Sequence, residues 1–216
     1  MRLYLSSFRI GDCPDRLIAL LGDAGPGEIA VIANAMDSAP NDVRQAGVEQ
    51  EIVMLTALGF RPVELDLRDF FDQPQDAVRS ALERFPAVWA RGGNAFMLRY
   101  ALARSGADSA LVSLLQRDAI VYAGYSAGPC VLAPSLRGLE HCDFPQHVTE
   151  VWGDQPVWEG LGILNHAFVP HVDSPGHFET EACGIVAEHY RATGTPHRTL
   201  RDGQVLVVDG DEERII

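Results

Sequence analysis

A serine between two glycines, in the stretch AGYSAGPC, is the residue of this chain best placed for nucleophilic chemistry. Ser126 follows an apolar run and precedes small residues, so the chain can turn sharply from strand to helix and expose the hydroxyl. The helix behind it leaves the N–H of Ala127 without an intrahelical partner, pointing where negative charge develops when a carbonyl is attacked. Gly-x-Ser-x-Gly is common by chance; its place between a strand and a helix is what points to a nucleophile. A serine hydroxyl is a weak nucleophile until a base, most often histidine, takes its proton. Of the seven histidines, His171 closes the apolar run AFVPH and is expected at a strand end. His166 lies inside that run and reads as packed, His177 and His189 fall on a later helical pattern, and His141 and His147 lie in an irregular stretch. A second oxyanion donor is expected from Gly92 or Gly93 in ARGGNAFML, whose bare backbone permits close approach to a ligand. Asn94 beside them either meets substrate or caps the following helix. His171, Asp173 and His177 form no compact ligand motif, so no metal centre is expected.

These residues meet only if several strand ends open on one crevice. Apolar runs RLYLSS, EIAVIANA, PVELDL, AVWARGG and AIVYAGYS alternate with helical patterns, the arrangement of a mostly parallel sheet in an α/β domain. Val48, Ile52 and Leu55 repeat at helical spacing before Gly59, and DQPQDAVRSALERF and NAFMLRYALARSG read as two further helices, the second closing at Gly106. From Leu136 to Gly160 the period is lost among prolines, glycines and aromatics, as expected of a long loop or lid. LGILNHAFVPH then reads as a strand, GHFETEACGIVAEHYRA as a helix and HRTLRDGQVLVVDGDEERII as a terminal hairpin. The whole of 1–216 is expected to form one domain.

Seventeen Lys and Arg against thirty Asp and Glu give a net charge of −13, with no basic stripe for nucleic acid or an anionic membrane. Four scattered cysteines argue against a disulfide scaffold and for a reducing, cytoplasmic setting. The N-terminal apolar stretch is too short for a signal peptide or a membrane span. Self-association is left open.

Taken together, AGYSAGPCVLAPSLR, RGGNAFML, VPHVDSPGHFET and the terminal hairpin resemble the peptidase E family, serine peptidases typified by aspartyl dipeptidase and related to cyanophycinase. The resemblance implies a three-layer sandwich related to class I glutamine amidotransferases, with Ser126 as nucleophile on a strand-turn-helix elbow and His171 as base. It also implies cleavage of short peptides at an N-terminal residue without a cofactor. For the third triad member two registers compete. Matching the proline of GTPHRTL puts His197 at the acid position, whereas matching the strand in LRDGQVLVVDG puts Asp202 there. The strand and its glycine constrain the alignment better, so Asp202 is preferred, with Asp143, Glu140 and Asp173 in reserve, although Asp-Gly between apolar runs also suits a plain hairpin turn.

The family's aspartate-binding arginine is missing from GHFETEAC, where Glu181 stands, so strict specificity for N-terminal aspartate is not expected; Arg91 or Arg137 would have to compensate. An α/β-hydrolase esterase shares the serine motif but orders its triad serine, acid, histidine. An inactive relative that binds a peptide or amino acid is the other alternative. Amidotransfer would need a cysteine at the elbow, and Cys130 lies four residues too late.

Overall fold

The computed structural model describes residues 1–216, apart from the side chain of Gln75. In chain order the elements are β1 (Arg2–Ser6), α1 (Pro14–Leu20), β2 (Glu28–Ile32), α2 (Asn41–Ala57), β3 (Arg61–Glu64), α3 (Gln75–Leu82), β4 (Ala87–Ala90) and α4 (Ala95–Ser105). There follow α5 (Ala107–Gln116), β5 (Val121–Tyr125), α6 (Ala127–Cys130), α7 (Gln146–Trp152), β6 (Ala167–Val169), α8 (Thr180–Thr193), β7 (His197–Thr199), β8 (Val205–Asp209) and β9 (Glu212–Ile215). Seven strands form one sheet in the order β3-β2-β4-β5-β1-β8-β9. The pairs from β3 to β1 are parallel, and β8 and β9 close that edge antiparallel.

Side chains on successive strand residues point to opposite faces, and the core divides accordingly. Leu3, Leu5, Ala30, Ile32, Val88 and Tyr122 face one way, packed with Phe96, Leu111 and Val186 of α4, α5 and α8. Tyr4, Ile29, Val31, Trp89, Val121 and Tyr125 face the other way, packed with Leu17 and Leu20 of α1 and Leu55 of α2. Strands buried on both faces are near-continuous apolar runs, and the helices make this a three-layer α/β sandwich with a mostly parallel sheet.

Three segments differ from expectation. Helix α5 carries Ala107, Ala110, Leu111, Leu114 and Leu115 inward, a helical period present in the sequence and not anticipated. The stretch 136–160 is a packed wall rather than a loose lid: Leu136, Leu139 and Val148 join the core. It contains α7, and Arg99 Nε and Tyr100 Oη bind Glu159 O and Asp154 Oδ2, each at 2.6 Å. The strand that leads to His171 is only three residues long and pairs with β7 in a separate two-stranded sheet.

Candidate active site

Ser126 sits between β5 and α6 with φ 52° and ψ −111°, a strained conformation for a residue with a Cβ. The glycines around it explain the motif. A Cβ on Gly124 or Gly128 would lie 2.4 or 2.5 Å from Ala90 O, so only glycine lets the elbow press against the end of β4. A Cβ on Gly92 would lie 3.0 Å from Ser126 Cβ, so the β4 turn approaches the serine only because it too is bare. Gly93, at φ 142°, completes that turn. The N–H of Ala127 opens α6 beside the serine, and Gly92, Gly93, Ser126 and His171 line one cleft of about 270 Å³.

His171 reaches this cleft from the small second sheet by a left-handed backbone, φ 60°. Its Nδ1 meets Asp202 Oδ1 at 2.7 Å, a contact that selects the tautomer with the proton on Nδ1 and leaves the Nε2 lone pair free. Asp202 is itself fixed: its N–H donates to Ser174 Oγ at 2.8 Å, and Ser7 Oγ donates to Oδ1 at 2.9 Å. Ser7 also accepts the N–H of His171 at 2.9 Å, so one hydroxyl joins acid and histidine. Burial holds the His171 pKa below its ordinary value, with help from the nearby His177 ring and against the Asp202 hydrogen bond. No hydrogen bond joins Ser126 to His171 among the described residues; such bonds tighten when substrate arrives.

The other expected site residues are distributed differently. Asn94 is a cap rather than a cleft contact: Oδ1 accepts from Phe96 N at 2.8 Å and Met97 N at 3.2 Å, and Nδ2 donates to Phe144 O at 2.9 Å. Asp173 and Glu181 are exposed and do not line the cleft. The acid that does is Glu179, two residues before the one expected, its Oε2 3.9 Å from His171 Nε2. His197 is on β7, bound to Thr195 O at 2.8 Å, and Glu140 is exposed. Asp143 lies behind the serine in a narrow recess, accepting the Ala95 N–H at 2.9 Å. Burial, reinforced by Glu179, pushes its pKa up to about 7. Arg91 borders the cleft, held by Gly92 O at 2.9 Å and Glu51 at 3.4 Å, while Arg137 lies over Trp158, away from it.

Ser7, Ser174, Glu179 and Arg9 escaped the sequence reading. Ser7 had a signal, since it is polar at the end of an apolar strand that must open on the crevice. His177 belongs to the loop before α8, not to the helix, and stacks on His171 with centroids 3.7 Å apart and planes within 6°. Nitrogens of His171 and His177 and an oxygen of Glu179 lie within 4.8 Å of one another. An imidazole lone pair lies in its ring plane, however, so two parallel stacked rings do not aim at one ion unless one of them turns.

A profile of peptidase family S51 matches residues 20–216. The chain is 35% identical over 134 residues to a Peptidase E of Streptomyces coelicolor, covering 60% of this chain and 51% of the relative. It is 25% identical over 120 residues to an uncharacterized peptidase of Listeria innocua, covering 56% and 54%. The chain thus spans about half the length of the curated relatives it matches. The fold is shared with a candidate peptidase E protein from Listeria monocytogenes, TM-score 0.77 at 19% identity over 100% of this chain and 97% of the other. It is shared also with a peptidase from an acI-B1 actinobacterium, TM-score 0.75 at 17% identity over 100% and 86%.

Proposed function

This chain belongs to peptidase family S51, and from that premise we propose that it is a serine peptidase that releases the N-terminal residue of dipeptides or short peptides through an acyl-enzyme. Ser126 Oγ attacks the carbonyl carbon of the first residue while His171 Nε2 takes its proton. Asp202 holds the ring in the required tautomer and stabilises the imidazolium. The oxyanion accepts N–H bonds from Ala127 and Gly92 or Gly93, each such donor worth roughly 3 kcal/mol in the transition state. His171 then gives its proton to the departing amine as the C–N bond breaks. Water, deprotonated by the same ring, hydrolyses the ester and restores the Ser126 hydroxyl.

The observation that carries this reading is the 2.7 Å contact between Asp202 and the Nδ1 of His171, a histidine that lines the same cleft as a strained Ser126. The cleft presents one carboxylate, Glu179, and two guanidiniums, Arg9 and Arg91, a charge arrangement suited to a short zwitterionic peptide. The four cysteines are unpaired, which fits a reducing cytoplasm. Among the described residues no helix is long and apolar enough to cross a membrane. Ser126→Ala should lower kcat on a panel of dipeptides by about 10³-fold or more. Full activity in that variant would refute the mechanism.

A further inference from the structure

Hydrolysis of a peptide at its first residue imposes a geometric demand that an endopeptidase does not face. In the N-terminal residue the amino nitrogen is about 2.5 Å from the carbonyl carbon, two bonds away. With the carbonyl within about 3.5 Å of the serine, an α-ammonium is held beside the catalytic histidine, and whatever recognises it has to stand there too. Among the described residues lining the cleft, Glu179 is the only carboxylate. Its Oε2 is 3.9 Å from His171 Nε2, on the side that leads into the recess behind Ser126.

The carboxylate is not occupied by the fold. Glu179 precedes the first turn of α8, yet its side chain makes no capping bond, and its one ion-pair neighbour among the described residues is His171 itself. Half-buried without a fixed cation, it is a charge that the protein leaves to be neutralised by something entering the cleft. Asp143, the other acid of the recess, is tied to the Ala95 N–H. Burial and the neighbouring Asp202 raise the Glu179 pKa, consistent with an acid awaiting a cation. We propose that Glu179 is the subsite for the α-ammonium of the substrate, and that it confines this cleft to peptides with a free N-terminus. The assignment rests on the peptidase reading above and names the residue that enforces its exopeptidase character.

The test uses the full chain, a panel of Ala-, Asp-, Lys- and Phe-Leu dipeptides, and the N-acetylated form of each. For the best substrate, wild type should show kcat/KM at least about 100-fold higher with the free amine. Glu179→Gln should lose about 10–100-fold on that substrate, the scale of a hydrogen bond to a charged group, while its activity on the acetylated one stays level, so that discrimination collapses. An equal loss on both forms would mean that Glu179 acts through His171, and would overturn the proposal, as would an unchanged ratio. A separate measurement isolates binding from chemistry: calorimetry of Ser126→Ala with the same pairs. Preference for the free amine there, lost in Ser126→Ala with Glu179→Gln, upholds the subsite even if wild type hydrolyses nothing and the peptidase reading fails. Equal binding of both forms, or of neither, rejects it.

Discussion

The base of the proposed triad carries its own pH signature. His171 accepts a proton only while neutral, and burial together with the His177 ring holds its pKa below 6.5, the Asp202 bond acting in the opposite direction. The acidic limb of kcat/KM on a dipeptide should therefore fall below pH 6.5, with activity lost as the ring protonates. Asp202→Asn removes the hydrogen-bonded carboxylate that favours the imidazolium. It should move the limb lower still and reduce kcat by about 10³–10⁴-fold, because the ring loses its tautomer and orientation. A limb above 6.5 in wild type, or a variant with unchanged kcat, would contradict this account. At this scale the sequence was legible where chemistry restricts the residue type, a serine at an elbow and a histidine at a strand end, whereas Asp202, just before β8, came from the family register alone. Glu179 and Ser7 were not, because their roles depend on where a loop and a strand end lie in space. Glu181 and Asp173 show the converse: both stand near the base in sequence, and neither faces the cleft.

Elements position these groups through contacts that tolerate no added atom. β5 and α6 press on the end of β4, where a Cβ on Gly128 would lie 2.5 Å from Ala90 O. That neighbour is backbone and cannot swing aside, so Gly128→Ala should cost about 1–3 kcal/mol and displace Ser126, lowering activity by more than the loss of folded protein explains. Gly184 supplies the control, since a Cβ there meets nothing within 4 Å on helix α8. Gly184→Ala should stabilise by about 0.5–1 kcal/mol and leave kcat as it is. Thermal unfolding and dipeptide turnover on the two variants separate these outcomes, and similar losses in both would discredit the elbow argument. The same distinction explains which elements the sequence disclosed. Runs buried on both faces announced the parallel strands. The wall at 136–160 is held by scattered core residues and by isolated contacts, among them Tyr100 to Asp154 and Arg99 to Glu159 O, which leave no periodic trace. The run 161–171 disclosed a strand but not its extent or its sheet, because β6 keeps only three residues and its partner β7 follows only after α8.

For the molecule as a whole, the groups buried around the site make stability depend on pH in a way that net charge alone does not foretell. Asp143, raised to about 7 by burial, holds its proton in the folded state while an unfolded chain has released it near pH 4. Between those values the folded state binds more protons, so this group's contribution declines as pH rises through that window and is lowest above pH 7. His166 and His171 act oppositely: both are shifted below 6.5, mainly by burial, so the unfolded state binds protons first and stability falls on acidification below 6.5. Asp66 is shifted down by its arginine and asparagine partners against burial, which adds a loss only in strong acid. These signs place the highest melting temperature on the acid side of neutrality, near the point where the Asp143 gain meets the histidine loss. The protein should melt lower at pH 8.5 than at pH 6.5. Asn at position 143 can still accept the Ala95 N–H without ever ionising, so Asp143→Asn should stabilise by about 1–2 kcal/mol at pH 8.5 and by little at pH 5. Melting curves of wild type and variant across that range decide it. A variant equally stable relative to wild type at both ends would mean that the Asp143 carboxyl ionises in the fold as it does in water, and that burial behind Ser126 does not set its proton.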